Sequence, residues 1–136
     1  MNREHERFMR RAISIARRAN NVAAPNPTVG AVLVKGGRVI ASGHTERFGG
    51  RHAEWVVLER AGKRAQGATL YSTLAPCGHT GKTPPCTDAI IAANIPRVVI
   101  GVDDPTRNGL QKLRRAGIHV DSGVLHRKLR ACTSTF

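Results

Sequence analysis

Apolar residues recur along the chain in two patterns, one typical of amphipathic helices and the other typical of buried strands. Helical spacing predicts helices over residues 4–20, 52–64, 86–93, 108–116 and 125–132. Short runs rich in Val, Ile, Leu and Thr predict strands over residues 29–34, 39–42, 68–73, 97–102 and 118–124. The first two strands are separated by Lys35-Gly36-Gly37-Arg38, a sequence that favours a tight β-hairpin turn.

The order of these elements predicts the fold class. From the third strand onward strands and helices alternate, so those strands should be mostly parallel and covered by helices on both faces. The strand over residues 97–102 is apolar after its first residue, which predicts burial on both faces. We therefore expect an α/β protein, a three-layer α/β/α sandwich with a mixed five-stranded sheet. Since no repeat or linker divides residues 1–136, we expect a single domain.

Charge and cysteine content narrow the possible partners. The chain has 22 Lys and Arg against 9 Asp and Glu, and a net charge of +13 attracts nucleic acid, acidic membranes and phosphorylated metabolites. Many arginines lie on predicted helix faces, where solvation alone explains them, and aromatic residues are not interleaved with them as single-strand binding favours. No apolar run approaches the roughly 20 residues of a membrane span. Three cysteines without an export signal argue against a disulfide framework. We expect a cytoplasmic protein that binds neither membrane nor nucleic acid.

Three residues have the chemistry and positions of zinc ligands. His52 begins the second predicted helix, and Cys77 and Cys86, each preceded by proline, flank the loop after the third strand. Three N/S ligands with an open fourth position are typical of catalytic zinc, whereas structural zinc usually has four protein ligands. A structural site with His79 or His44 as fourth ligand is the alternative. The loop location of the cysteines favours a catalytic site.

Glu54 is the candidate general acid and base. Zinc lowers the pKa of its bound water to about 7, and two thiolates soften the charge of the ion, so a nearby base must help to move the proton. Two residues after His52, Glu54 can take that proton without ligating the metal, give it to a ring nitrogen and later protonate the leaving amine. His-x-Glu joined to Pro-Cys and a second cysteine within a β-α-β pattern is the zinc-deaminase signature. The pattern predicts a zinc-dependent hydrolytic deaminase.

Four segments of the chain carry a family resemblance. They are residues 25–32 (PNPTVGAV), residues 49–54 (GGRHAE), residues 67–86 (GATLYSTLAPCGHTGKTPPC), and Arg97-Val98-Val99 with Asp104-Pro105. Eight residues separate Cys77 from Cys86, whereas nucleic-acid and nucleoside deaminases usually carry Pro-Cys-x-x-Cys. With this spacing the chain resembles the deaminase domain of the riboflavin-pathway deaminase/reductases, within the cytidine-deaminase-like superfamily. The resemblance extends over nearly the whole chain.

The resemblance implies a cytidine-deaminase-like fold, a Zn²⁺ cofactor and hydrolytic deamination of a phosphoribosylamino-diaminopyrimidinone, a phosphorylated pyrimidine of riboflavin biosynthesis. It also implies a homo-oligomer and a substrate pocket that includes Asn26, His79, Lys82, Thr83 and Asp104. Asn26 offers amide donors and acceptors to a ring edge, and Lys82 offers a point charge to phosphate. The bifunctional members of the family continue into a reductase domain. We expect no reductase domain in residues 1–136 and a separate polypeptide for the reduction.

Three positions depart from the family pattern. Thr45 stands where a histidine is usual, with His44 one place earlier, and Ala75 replaces the glutamate before Pro-Cys. The segment after Asp104 is shortened. These departures motivate one alternative, a related deaminase acting on another pyrimidine, pterin-like or purine-like metabolite. The charge motivates another, a zinc-containing RNA-binding or RNA-editing module. Cys132, far along the chain from the motif, is not expected to bind the metal.

Overall fold

Helices and strands alternate around one sheet in the computed structural model, which describes residues 3–19, 22, 28–47, 50–76, 86–102 and 109–124. The helices within these residues are α1 (Arg3–Arg18), α2 (Ala53–Ala61), α3 (Cys86–Ala92) and α4 (Gly109–Arg115). The strands are β1 (Gly30–Lys35), β2 (Arg38–His44), β3 (Thr69–Leu74), β4 (Arg97–Val102) and β5 (His119–Asp121). The helix predicted over residues 125–132 and Cys132 lie outside the described residues.

The strands form a five-stranded sheet in the order β2-β1-β3-β4-β5. β1 pairs antiparallel with both β2 and β3, whereas the β3-β4 and β4-β5 pairs are parallel. Parallel pairing requires a crossover connection, and α3 and α4 lie in the two crossovers. The mixed sheet predicted from the sequence is confirmed, with parallel strands from the third onward.

The β1-β2 hairpin closes through a two-residue turn. Gly36 and Gly37 have φ angles of 61° and 76°, and Lys35 pairs with Arg38 across them. Positive φ at both central residues is typical of a type I′ turn, whose twist matches that of the flanking strands and which glycine adopts without steric cost. The hairpin predicted from the Gly-Gly pair is confirmed.

Helices cover both faces of the sheet. One face packs on α1 and forms a cluster with these buried members: Phe8, Met9, Ala12, Ile13, Val32, Val34, Tyr71, Val99 and Val124. The other face packs on α2, α3 and α4, and its larger cluster includes Leu33, Val57, Leu58, Leu70, Ile90, Val98, Ile100, Leu110 and Leu113. Alternate strand residues enter opposite clusters because successive side chains of a strand point to opposite faces. The three-layer α/β/α sandwich is confirmed. Among the described helices none has the length and apolar character needed to cross a bilayer.

Two elements end earlier than the sequence predicts. α2 stops at Ala61 and a short 3₁₀ helix follows, because Gly62 takes a φ of 58° that ends the α-helix. β5 pairs with β4 only over His119–Asp121. Gly123, with a φ of 82°, turns the chain away from the ladder before the Val124 N–H returns to a β4 carbonyl at 3.3 Å.

A buried tyrosine links α1 to the sheet. Tyr71 is 2% exposed, and its hydroxyl donates a hydrogen bond to Nδ1 of His5 at 2.8 Å. Nε2 of the same imidazole lies 3.4 Å from Oδ2 of Asp121 on β5. Burial of the phenol, together with the negative charge of Glu4, raises the pKa of Tyr71 to about 12, because both disfavour the phenolate. These side chains connect α1 to β3 and β5.

Alkaline titration tests this link, because Tyr71 is the only tyrosine of the chain. We expect the ultraviolet absorbance of phenolate to appear with a midpoint of about 12 in the folded protein and of 10.0 in urea. Since the folded pKa is the higher one, the stability contributed by Tyr71 is complete below pH 10 and is lost as the pH rises toward 12. His5→Ala, which uncovers the phenol, should lower the folded midpoint. A folded midpoint equal to the urea value would contradict the burial of the phenol.

Candidate active site

The candidate site lies at the edge of the sheet where β3 and β4 have their carboxyl ends. β2 points toward the same edge, because β2 and β3 are both antiparallel to β1. α2 follows β2 and α3 follows β3, so both helices begin at this edge, at Ala53 and Cys86. Ligand sites of open α/β sheets are found outside the carboxyl ends of the strands. The topology therefore brings the residues around both helix starts together.

His52 and Cys86 are in contact at this edge. Nδ1 of His52 lies 3.2 Å from Sγ of Cys86, although 34 residues separate them in the sequence. A nitrogen and a sulfur bound to one tetrahedral zinc ion, at about 2.1 and 2.3 Å, would lie about 3.5 Å apart. His52 precedes α2 with an extended backbone, and Cys86 opens α3 with 2% exposure. The pair fits a zinc site in both its spacing and its donor atoms.

Glu54 lies in the first turn of α2, two residues after His52. It is 3% exposed, which is rare for a glutamate because burial removes the water that solvates the carboxylate. The exposed N–H groups of the first helical turn favour a negative charge at this position. The burial of Glu54 limits its exchange of protons with bulk water, and its role in catalysis stays a prediction.

The structure thus brings together His52 and Cys86, and it buries Glu54 in the first turn of the helix that follows His52. The other predicted site residues lie outside the described residues: Cys77, Asn26, His79, Lys82, Thr83 and Asp104. Within the described ranges, no group of three or more His, Cys, Asp or Glu side chains is arranged to hold a metal ion. The predicted third ligand, Cys77, belongs to the residues outside, so the complete ligand set stays a prediction.

The residues that depart from the family pattern are packed into this edge. The Thr45 hydroxyl accepts a hydrogen bond from the Val29 N–H at 2.9 Å, and Nδ1 of His44 donates to the Thr45 carbonyl at 2.7 Å. Ala75 is 1% exposed, and its N–H donates to the Val102 carbonyl at 3.0 Å. Thr45 therefore secures the entry to β1, while Ala75 continues the pairing of β3 with β4.

Gly109 sets the packing of the segments that carry both cysteines. A Cβ atom at Gly109 would lie 1.9 Å from the Pro76 carbonyl oxygen and 3.4 Å from Cγ2 of Thr87. Only glycine permits this approach of the α4 start to its neighbours. Pro76 precedes Cys77 and Thr87 follows Cys86. The sequence contained a signal for this role, a glycine at a predicted helix start, but did not show what the glycine contacts.

Arg51 is a second residue whose role the motifs did not indicate. It binds Glu46 through its backbone N–H (2.8 Å to Oε1), its Nε (3.1 Å to Oε1) and one guanidinium NH₂ (2.9 Å to Oε2). The Glu46 N–H donates in return to the Arg51 carbonyl at 2.9 Å, and the guanidinium also contacts Glu59 on α2. We call this set of contacts the Arg51 clamp. It joins Glu46 to Arg51 directly before His52.

Comparison with known proteins identifies the family. Residues 2–102 match the cytidine and deoxycytidylate deaminase zinc-binding region, and the chain belongs to this family of hydrolytic deaminases. The riboflavin biosynthesis protein RibD of Aquifex aeolicus is 48% identical over 95% of the chain, which spans 37% of that relative. The diaminohydroxyphosphoribosylamino-pyrimidine deaminase of Buchnera aphidicola is 42% identical over 95% of the chain and 90% of its own length. Within the family, the chain is similar to the deaminases of riboflavin biosynthesis, as the motif resemblance predicted.

Solved structures agree with this relationship. A deaminase/5-amino-6-(5-phosphoribosylamino)uracil reductase from Thermotoga maritima superposes with a TM-score of 0.91 at 47% identity, covering 98% of this chain and 40% of that one. The dCMP deaminase of cyanophage S-TIM5 superposes with a TM-score of 0.74 at 23% identity, covering 90% of this chain and 98% of that one. The second similarity shows the shared fold alone. The predicted cytidine-deaminase-like fold is confirmed.

The titration of Glu46 tests the Arg51 clamp. Its hydrogen bonds with the Arg51 side chain, and secondarily with the Arg51 backbone, hold the pKa of the Glu46 carboxyl at about 2, below its usual 4.5. Because the folded pKa is the lower one, the clamp stabilises the loop fully above pH 4.5 and is lost as the pH falls toward 2. We expect the NMR chemical shift of the Glu46 carboxyl carbon to titrate with a midpoint of about 2.

Arg51→Gln should return the Glu46 midpoint toward 4.5. Arg60→Gln is the matched control, because the Arg60 guanidinium donates to the Ser42 carbonyl at 2.6 Å on the far side of α2. If Glu46 titrates identically in the wild type and in Arg51→Gln, the clamp does not form in solution.

Proposed function

We propose that this protein is a zinc-dependent aminohydrolase that deaminates a phosphoribosylamino-diaminopyrimidinone in riboflavin biosynthesis. The observation that supports this function most directly is the His52-Cys86 contact with the buried Glu54 beside it. The similarity to the Buchnera deaminase, which extends over most of both chains, supports the same substrate class. The substrate would be a small phosphorylated metabolite, in keeping with the cytoplasmic location expected from the sequence.

Zinc would be held by Nδ1 of His52, Sγ of Cys86 and the thiolate of Cys77. Support comes from the 3.2 Å separation of the first two donors and from the preference of zinc for nitrogen and sulfur ligands. The description of the matched family as a zinc-binding region points to the same metal. When bound, zinc supplies a Lewis acid that makes water nucleophilic near neutral pH.

Glu54 would move the protons of the reaction. Overall, water adds at the ring carbon that carries the amine, the C–N bond breaks, and a ring carbonyl and ammonia are formed. A proton must pass from the attacking water to the adjacent ring nitrogen, and another must reach the amine nitrogen before it leaves. One carboxylate can accept and donate these protons in turn. Because Glu54 is only 3% exposed, these proton transfers would be shielded from bulk solvent.

The substrate would be recognised by the residues that the resemblance implies: Asn26, His79, Lys82, Thr83 and Asp104. A phosphate group suits a chain with a net charge of +13, and Lys82 would offer it a point charge. The Thermotoga relative is named for a deaminase and a uracil reductase activity. We therefore propose that the deaminated product passes to a reductase of that kind, and that the deaminase is a homo-oligomer.

Ammonia release from the phosphoribosylamino-diaminopyrimidinone tests the proposed activity. We expect turnover by the zinc-loaded wild type and a loss of at least about 100-fold in kcat for Glu54→Ala, since that variant lacks the general acid and base. Glu6→Ala, on the opposite face of the sheet, is the control and should retain the wild-type rate.

Zinc content separates the possible failures of this assay. Glu54→Ala should retain its zinc, and loss of the metal would refute the assignment of Glu54 as a non-ligand. A zinc-loaded wild type that releases no ammonia from this substrate would overturn the riboflavin assignment. Ammonia from dCMP in its place would support the alternative of a related deaminase.

The Arg51 clamp should also affect zinc binding, because it fixes the backbone from which His52 projects. Groups that orient a ligand typically change metal affinity by 10- to 100-fold when they are removed. We expect Arg51→Gln to weaken zinc binding by about tenfold in competition with a coloured chelator. Arg60→Gln should bind zinc like the wild type. Equal affinity of Arg51→Gln and the wild type would show that the clamp does not orient His52.

A further inference from the structure

The outer face of α1 carries charge that the proposed active site does not use. Six arginines of this helix are exposed, namely Arg3, Arg7, Arg10, Arg11, Arg17 and Arg18. At about 100° per residue they lie within an arc of about 120°, and at 1.5 Å per residue they extend over about 22 Å. The opposite face of the helix is packed on the sheet through Phe8, Met9, Ala12 and Ile13. We call the exposed set the arginine ridge.

The arginine ridge is not neutralised by neighbouring acids. No ion pair joins these arginines to an acidic side chain in the part of the chain that the structure describes. The acidic residues of α1 are Glu4 and Glu6, both in its first turn. The second half of the helix is therefore uniformly basic. A surface groove of about 330 Å³ follows this half and is lined by Arg10, Ile13, Ser14, Arg17 and Arg18.

A second copy of the chain does not offer the complementary surface. Outside α1, the acidic side chains at the surface of the described residues already have basic partners: Glu46 and Glu59 contact Arg51, Asp88 lies 2.8 Å from Lys112, and Asp121 lies near His5. The occupant of the ridge must therefore bring its own excess of negative charge.

A membrane and a single strand also fit the ridge poorly. The apolar side of α1 is buried in the protein, with Phe8 3% exposed and Met9 0% exposed, so it has no apolar face to insert among lipids. Single-strand binding uses aromatic side chains on which bases stack, and the ridge presents arginine and Ser14 instead. With a second copy, a membrane and a single strand excluded, the remaining candidate partner is a rigid polyanion that is recognised through its phosphates.

We propose that the arginine ridge binds the phosphate backbone of a nucleic-acid duplex, without reading its sequence. A duplex carries one charge per about 1.7 Å of its axis, so the length of the ridge matches several phosphates. The guanidinium group forms paired hydrogen bonds with phosphate oxygens, and the ridge consists of arginines alone. From the sequence we expected no nucleic-acid partner, because solvation alone explains arginines on a helix face and no aromatic residues are interleaved with them.

The proposed duplex site is separate from the candidate active site. α1 packs on one face of the sheet, whereas α2 and α3, which carry His52, Glu54 and Cys86, pack on the other. Binding at the ridge therefore does not require a change at the zinc site. The proposal does not depend on the substrate of the deaminase.

Salt-dependent binding to a short fluorescent duplex tests the proposal. The ridge variant combines Arg10→Gln, Arg11→Gln, Arg17→Gln and Arg18→Gln. The control variant combines Lys63→Gln, Arg64→Gln, Arg114→Gln and Arg115→Gln, which are exposed on other surfaces. Each variant removes four positive charges, so both change the net charge from +13 to +9. Glutamine has nearly the helix propensity of arginine, so α1 should persist.

We expect the wild type to bind RNA and DNA duplexes alike, with an affinity that falls steeply as salt rises. At about 0.15 M salt the ridge variant should bind at least about tenfold more weakly, and its salt slope should fall by about 0.9 for each lost phosphate contact. The control variant should stay within about threefold of the wild type. Circular dichroism melting shows whether each variant is folded. The double variant Arg17→Gln/Arg18→Gln replaces the ridge variant if the latter unfolds.

Four results would overturn the proposal. Equal losses in the ridge and control variants would assign binding to net charge alone. If the wild type does not bind the duplex at about 0.15 M salt, the ridge is not a nucleic-acid site. Tighter binding of a single strand of the same length would indicate contacts with bases. Displacement of the duplex by polyglutamate at lower concentration than by unlabelled duplex would assign the ridge to an acidic protein surface.

Discussion

The contact between the starts of α2 and α3 is the constraint on which the rest of the site depends. His52 and Cys86 can meet at 3.2 Å because each lies where a helix begins, after strands that point to the same edge of the sheet. That common direction follows from β1, which is antiparallel to its neighbours on both sides. The position of Glu54 follows from the same arrangement, since it is the second residue of α2. The topology of the sheet thus determines which segments meet at the site, independently of the side chains that these segments carry.

Two local features then secure the segments that the topology brings together. The Arg51 clamp holds the chain directly before His52 through four hydrogen bonds between Arg51 and Glu46. Gly109 acts on the cysteine side, where the absence of a side chain lets α4 approach the Pro76 carbonyl. One feature is ionic and exposed, and the other is steric and buried. Functional side chains hold their geometry only when such supporting contacts limit the movement of their backbone.

Much of the fold could be predicted because it depends on local chemistry. The glycine pair at Gly36-Gly37 predicted the hairpin, and the unbroken apolar run over residues 98–102 predicted a strand buried on both faces, as β4 is. His52, Cys86 and Glu54 could be predicted because each belongs to a short motif with a chemical reason for its residue types.

Contacts between distant segments could not be predicted in the same way. Tyr71 and His5 are 66 residues apart, and no sequence period relates a strand tyrosine to a histidine near the chain start. The Arg51 clamp is close in sequence, yet with 22 basic residues in the chain nothing distinguished Arg51 from a solvated arginine. Its role depends on its hydrogen bonds with Glu46, which only the structure reveals.

The same scarcity of acids explains where the positive charge of the molecule accumulates. Only 9 acidic residues are available, and several of those described are engaged on the site side of the sheet or buried, as Glu46, Glu54 and Glu59 are. Among the described residues, no acidic side chain pairs with the arginines of α1, so this helix keeps an exposed positive face on the opposite side. Screening by salt weakens exposed charges much more than buried ones. The proposed recognition of a phosphorylated substrate and the proposed attraction of a polyanion to α1 are therefore physically separable, although both draw on the same basic composition.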